Sequence, residues 1–318
     1  MQAGSKGEIL PEIPVAPRCL PRPRGDSPSR LLLGAYTHLK HTESVLIHSW
    51  RRVSENSFTL RLNWPAAPHG QPYDPRLLTQ TIRQSGLTIA HAEYEVPLEH
   101  HTLLNSLDLT VAPDFRVSDT GPSTLVVDIT VSPGKSGRRA AHTMHMEIRT
   151  SPGGEPVARA DTEFAWISPA AYRRVRGDHL IVDWGDWPLP APVDAALVGR
   201  SRAADVVLAP TAVPHRWQLR NDVSNVLLFD HPVDHVPGLV LWEAAHQAAQ
   251  AVLAPIASLP VSVTTTFSRY VEFEEPCLID ARVLGPVGPG EFAVRVTGAQ
   301  ADAPAFTADI RTVTRPMR

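Results

Sequence analysis

Residues 229–250, FDHPVDHVPGLVLWEAAHQAAQ, constrain this chain more than any other stretch. A proline-broken loop carrying Asp230, His231, Asp234 and His235 runs through Val236-Pro237-Gly238 straight into an apolar helix. Leu239, Leu241, Trp242 and Val252 make that helix a buried one, and Glu243 is its one acid. A lone carboxylate in an apolar setting is strongly disfavoured unless it has a partner or a task. The first N–H groups of such a helix lack intrahelical acceptors and lie at the positive end of its dipole, where a developing oxyanion is stabilised. A carboxylate about one turn further in is placed to accept a proton from a hydroxyl or a water. Blander readings stay open. The Asp–His pairs can be a solvated loop, Glu243 can pair with Arg216 or Arg220, and Asp and His are metal ligands. Against a metal, Pro232 breaks register between His231 and His235, no cysteine is near, and no HExxH motif occurs.

The segment has a counterpart. LLTQTIRQ (77–84) aligns with VLWEAAHQ (240–247) at a constant offset of 163, setting Gln80 on Glu243, Arg83 on His246 and Gln84 on Gln247. In both, the first two polar residues are three apart and share a helix face. The flanking order also repeats: strand, polar loop, one helix, about four strands. In the first half, strands are expected at 44–49 and 57–63 around a turn at Ser54-Glu55-Asn56. A helix follows over 75–91, with Asp74 as N-cap and Pro75 at its first position. Further strands are expected at 103–111, 123–131, 140–150 and 156–167, joined by Pro133-Gly134 and Pro152-Gly153-Gly154 turns. In the second half, a short strand at 215–219 precedes a helix over 238–253. Strands at 261–273, 277–284, 291–297 and 306–313 complete it. A unit above 100 residues, used twice, is a tandem duplication rather than a solenoid. The expected units are a Pro/Arg-rich disordered tail (1–33), a first half (36–168), a connection holding Trp184 and Trp187 (169–213) and a second half (214–316).

Thirty basic and 33 acidic residues give a net charge of −3, with no footprint for nucleic acid or an anionic membrane. No apolar run approaches a membrane span, and the N-terminus lacks a signal-peptide core. Cys19 falls in the tail and Cys277 in the second half, so a structural disulfide is not expected and a reducing cytoplasm fits. His142 and His145, three apart in a strand, point to opposite faces, and the adjacent His100-His101 has the same difficulty.

The H-x-P-G turn, the apolar helix and Glu-Ala-x-x-Gln resemble the hotdog dehydratases of fatty-acid synthesis. More specifically, 229–249, RWQLRND (216–222), DPRLLTQTIRQ (74–84), YEVPLEHH (94–101) and the W-x-S-P of 166–169 look like the A-factor biosynthesis (AfsA-like) hotdog family, over about residues 36–316. The resemblance implies an α+β tandem (double) hotdog, each half a central helix wrapped by a curved antiparallel β-sheet. It also implies an acyltransferase that needs no cofactor or metal. Such an enzyme moves a β-ketoacyl group from an acyl carrier protein (or CoA) thioester to a hydroxyl of dihydroxyacetone phosphate. The product is the precursor of a butenolide or γ-butyrolactone signal that controls antibiotic production.

Carried onto this sequence, the amides of Gly238 to Val240 would hold the thioester oxygen, His235 would belong to the catalytic loop and Glu243 would be the base. Arg83, with His246 or Arg220, would grip the phosphate, since a guanidinium fork suits that dianion. Gln80 and Gln247 would complete the substrate site. Two departures stand out. The family leads one to expect an acid at Gln80 and an arginine at His246. A hotdog thioesterase or dehydratase, and a non-catalytic acyl-binding regulator, are the rival functions.

Overall fold

The computed structural model describes residues 28–68, 70–133, 141–150 and 154–314. Cys19, the tail before residue 28, the glycine of the Pro133-Gly134 turn and most of the Pro152–Gly154 turn lie outside them.

The fold is one antiparallel sheet bent around two helices. The first half contributes α1 (Arg30–Thr37), β1 (Ile47–Ser54), β2 (Ser57–Trp64), α2 (Pro75–Glu93), β3 (His101–Val111), β4 (Ser123–Pro133), β5 (Ala141–Thr150) and β6 (Pro156–Ile167). After α3 (Pro169–Arg176) come β7 (Leu208–Pro210), β8 (Arg216–Leu219), α4 (Gly238–Leu253), β9 (Ser258–Phe267), β10 (Leu278–Gly288), β11 (Glu291–Gln300) and β12 (Ala303–Thr314). Strand order is β1-β2-β4-β5-β6-β3-β9-β12-β11-β10-β8-β7, which reads nearly the same from both edges. The two halves join where β3 meets β9, from Ser106↔Thr266 to Thr110↔Ser262. Each seam strand directly follows its half's long helix, so this pairing sets α2 and α4 side by side. The double hotdog expected from the resemblance is therefore the observed fold.

Both helices begin at equivalent positions, Pro75 and Gly238, at the offset of 163 read from the sequence. Asp74 caps α2, its carboxylate accepting from Arg76 N–H at 3.0 Å, and Pro75 sits in the first turn as expected. Pro237 precedes α4 and offers no side-chain cap. Each helix is enclosed by its sheet. In α2 this buries many small polar residues, among them Ser85 and Thr88, along with Thr81, which accepts from Trp64 Nε1 at 2.8 Å. The β11–β12 hairpin turns through Ala301 and Asp302, both left-handed (φ 49° and 58°), the turn geometry that matches the twist of its strands.

Three expectations need correction. The tail does not run to residue 33, because Ser29 caps α1 and Leu33 and Tyr36 bury in the core. The strand expected over 261–273 stops at Phe267, and the following residues form a loop in which Val271 C=O accepts from Val236 N–H. The stretch 169–213 is not a plain connection. Trp184 and Trp187 do pack on the body, the latter stacked on Phe273 at 4.3 Å, but from residue 195 onward the chain repeats the first half. Gly199 and His38 are left-handed caps (φ 66° and 53°) of the preceding helical turns, and Thr42–Ser44 and Ala203–Asp205 are matching 3-10 turns. The two helix glutamines then bind these loops identically. Gln84 accepts from Leu46 N–H and donates to Ser44 C=O; Gln247 accepts from Val207 N–H and donates to Asp205 C=O. Of the side chains at 38–46 and 199–207 only the buried Val45 and Val206 match, so the repeat here lives in backbone geometry.

Candidate active site

The structure divides seven of the eight residues singled out in the sequence between two places and leaves Arg220 outside both. Glu243, His246 and Gln247 form the first. Glu243 is 1% exposed, and an arginine that the sequence reading missed, Arg200, grips it with a fork: Nε to Oε1 and Nη2 to Oε2, both 2.7 Å. Gln247 Nε2 donates a further bond to Oε1. Arg200 is itself fixed, because its N–H bonds Ala195 C=O at 2.8 Å and its Nη1 donates to Gly199 C=O at 3.1 Å. Burial pushes the Glu243 carboxyl up, but Arg200, His246 and Arg76 together pull it down to about 2. His246 Nδ1 lies 3.1 Å from Arg200 Nη2 and accepts from it, which puts the imidazole proton on Nε2. Burial and the Arg200 charge keep this imidazole below its ordinary range, although Glu243 opposes them. Its Nε2, and Trp242 Nε1 four residues earlier, are buried without a partner among the described residues.

The second helix of this site is α2, not α4. Arg76 in the first turn of α2 donates Nε and Nη2 to Asp74 and Nη1 to Asp205, and Arg202 closes on Asp205 with Nε at 2.8 Å. These bonds overcome the burial that would raise the Asp205 carboxyl, holding it below its usual range. Tyr73, Asp74, Arg76, Arg200, Arg202 and Asp205 line a cavity of about 400 Å³. Tyr73 and Pro75 also line a tight apolar crevice of about 10 Å³ with Leu78, Trp242, Leu109 and Val263. A buried carboxylate held by an arginine that lines a polar cavity suits proton transfer with a charged acceptor bound there.

The second place surrounds the amino end of α4 and holds Gln80, Arg83, His235 and Gly238. Val240 and Leu241 N–H both reach Pro237 C=O, so the expected donor set of Gly238 to Val240 narrows to Gly238 and Leu239. Gln80 Nε2 donates to Leu227 C=O at 2.9 Å, and its Oε1 is buried without a partner. Arg83 Nη1 donates to Thr37 C=O, and burial lowers it to about 10 despite the pull of Asp230. His38 and His91 face each other Nε2 to Nε2 at 2.8 Å; burial first, then His91 and Arg83, drive His38 down to about 3. His235 Nδ1 meets Asp234 at 2.8 Å. Tyr172 and Arg176 hold the same carboxylate, and the Arg176 fork also closes on Glu272 at 2.7 Å. His101 stacks on Tyr172 at 3.6 Å. The objection that His100 and His101 point to opposite faces does not apply, because β3 begins at His101 and His100 precedes it.

No described contact joins His235 to Glu243. Arg220 does not face the cavity either: its donors go to Pro190 and Val206 carbonyls and to Asp222 at 3.0 Å. Among the described residues, His179, Glu272 and Glu274 are the group whose ligand atoms gather closely enough for a metal ion. Arg176 already occupies both Glu272 oxygens there.

The description "A-factor biosynthesis hotdog domain" matches residues 24–168 and again 185–315, one segment for each half. The chain belongs to the A-factor biosynthesis hotdog family. Within that family, the 2-oxo-3-(phosphooxy)propyl 3-oxoalkanoate synthase of Streptomyces virginiae is 41% identical over 281 residues, 86% of this chain and 95% of that protein. The enzyme of the same name from Streptomyces coelicolor is 35% identical over 274 residues, 84% of this chain and 86% of that one. Among solved structures, the 12:0-ACP thioesterase of Umbellularia californica superposes with a TM-score of 0.54 at 11% identity, covering 81% of this chain and 94% of that chain. At that identity the likeness is one of fold. At His246, where the A-factor family leads one to expect arginine, the Arg200 fork arrives from the preceding loop instead.

Proposed function

We propose that the chain is the acyltransferase its family relatives are named for. It would join a β-ketoacyl group, delivered as a thioester of an acyl carrier protein or coenzyme A, to the hydroxyl of dihydroxyacetone phosphate. The observation that carries this reading is the buried Glu243 carboxylate, forked by Arg200 at the wall of the arginine-lined cavity. The acceptor's phosphate sits among Arg76, Arg200 and Arg202, and its hydroxyl faces Glu243. The acyl chain enters by parting Leu78 and Trp242, whose crevice of about 10 Å³ is too tight for it in this structure. The hydroxyl oxygen attacks the thioester carbonyl carbon, the C–S bond breaks, and the proton passes through Glu243 to the departing thiolate. The ester then cyclises towards a butenolide phosphate, the precursor of a diffusible signal. Gln247, fully used by backbone and by Glu243, positions this site rather than touching substrate. His246 orients the fork. Gln80, Arg83, His235 and Gly238 form the equivalent place at the amino end of α4 and take no part in this step. A cytoplasmic location accords with the buried free thiol of Cys277 and with the supply of acyl thioesters there.

The test incubates pure protein with a β-ketoacyl thioester, with and without dihydroxyacetone phosphate, and weighs the product. The expected product is the phosphooxypropyl ester or its cyclised form. Thioester loss at the same rate without acceptor would turn the reading into a thioesterase.

A further inference from the structure

The ions around the cavity form a closed set. Arg76 is matched by Asp74 and Asp205, Arg202 by Asp205 and Arg200 by Glu243. Three guanidinium groups thus face three carboxylates, with His246 neutral beside them and Gln247 uncharged. Among the described residues every guanidinium of the lining has a carboxylate partner, and Arg200 can offer its fork to a phosphate dianion only by leaving Glu243. The three carboxylates are not equally replaceable. Asp74 also caps α2 through Arg76 N–H, and Asp205 is shared between two arginines. Glu243 relies on the one fork of Arg200, whose side chain lines the cavity and is 8% exposed.

We infer that Arg200 is the residue that recognises the acceptor's phosphate, and that its transfer to the phosphate is what frees Glu243 to act as the base. This rests on the acyl-transfer reading of the site. While Arg200 holds Glu243, the carboxylate is a poor proton acceptor. When the guanidinium turns to the dianion, Glu243 remains buried beside His246 and Gln247 with a full negative charge and no cation in contact. Its affinity for a proton then rises, and the nearest proton is that of the acceptor hydroxyl. The base is unmasked only when the phosphorylated acceptor is present, which protects the bound thioester from water. The groups that bear on Glu243 are Arg200 from the loop, His246 and Gln247 from α4, Asp74 and Arg76 from α2, and Asp205 with Arg202 from the 3-10 turn. Arg200 alone among them bridges cavity and carboxylate.

The experiment follows the Glu243 carboxyl by carbon-13 NMR in the full chain labelled at glutamate, with the signal assigned by Glu243→Gln. Titrations are run with inorganic phosphate, with dihydroxyacetone phosphate and with dihydroxyacetone, without acyl donor. Both phosphates are expected to raise the midpoint by about 1 pH unit or more, and dihydroxyacetone to leave it in place. Arg200→Lys keeps the charge but loses the fork, and is expected to weaken phosphate binding about tenfold and raise KM for the acceptor more than it lowers kcat. Phosphate that binds without moving the midpoint, phosphate that does not bind, or an Arg200→Lys protein that binds it as tightly as the parent overturns the inference. A shifted midpoint without ester formation would instead sink the acyl-transfer reading alone. Ester formation with an unmoved midpoint would sink the unmasking alone.

Discussion

Gln84 and Gln247 hold their loops by the same two bonds, yet the sites beside them have opposite characters. Around Glu243 the scaffold carries Asp74, Arg76, Arg200, Asp205 and Glu243. The equivalent positions of the other site are Pro237, Leu239, Leu39, Ser44 and Gln80, none of them charged. The helix amides differ in the same sense. Asp74 closes the amino end of α2, whereas Gly238 and Leu239 N–H at the start of α4 have no acceptor among the described residues. Duplication supplied two equal frames, and a central-helix carboxylate forked by a loop arginine was built in one. An ion set of this kind is stable only when complete, because each buried charge relies on its neighbour.

The largest effect should come from the base. Glu243→Gln is expected to lower ester formation by about 10²- to 10⁴-fold, while Gln80→Leu stays within about tenfold. Equal losses, measured as kcat/KM under the same thioester supply, would erase the contrast between the halves. Next, Arg200→Leu strands a buried carboxylate and should cost about 3–5 kcal/mol in urea unfolding. Adding Glu243→Gln to it recreates the Leu39/Gln80 pair of the first half and should recover most of that stability. Failure to recover would mean that Arg200 holds the loop by packing, not charge.

The helix glutamines allow a direct comparison. Gln84→Leu and Gln247→Leu each orphan a backbone donor and acceptor and should cost about 1–3 kcal/mol apiece, with only the second altering activity. The smallest effect is one of pH. His38 is held at about 3 against an ordinary 6.5, so below pH 6.5 the unfolded chain takes up a proton that the folded one refuses. Stability therefore falls as pH drops from 6.5 towards 3, by about 2 kcal/mol at pH 5 from this residue. Glu243, at about 2 against 4.5, contributes stability that is complete above pH 4.5 and lost only as pH falls towards 2. Unfolding midpoints at pH 7, 6 and 5 should thus fall in that order, with His246, also held below its ordinary range, adding to the slope. His38→Asn, which tolerates the left-handed backbone there, should flatten the slope.

The sequence showed the duplication through three polar residues on each helix, of which Gln84 and Gln247 make matching loop bonds and Glu243 meets Arg200. It showed Asp74 as a cap because a side-chain oxygen and the following proline act within one turn. It showed Glu243 as a residue needing a partner, but offered Arg216 and Arg220, which are taken by Asp280 and by Pro190, Val206 and Asp222. Arg200 was overlooked inside an alanine-rich stretch that has no period to read. The pair Arg200/Arg202 ahead of Asp205 was the available signal. His101 was set aside by a strand-parity rule that takes no account of what another segment, here α3, brings against one face.

Taken alone, the sequence determined the two helices, the cap of the first, the repeat and the one acid, because each depends on neighbours within a few turns or on a repeated pattern. Tertiary structure decided which helix end that acid faces, which arginine holds it and which of the two equivalent sites carries the forked carboxylate. Those depend on β3 pairing with β9 and on loops fixed by backbone bonds to Gln84 and Gln247, contacts between residues far apart in the chain that no local pattern encodes.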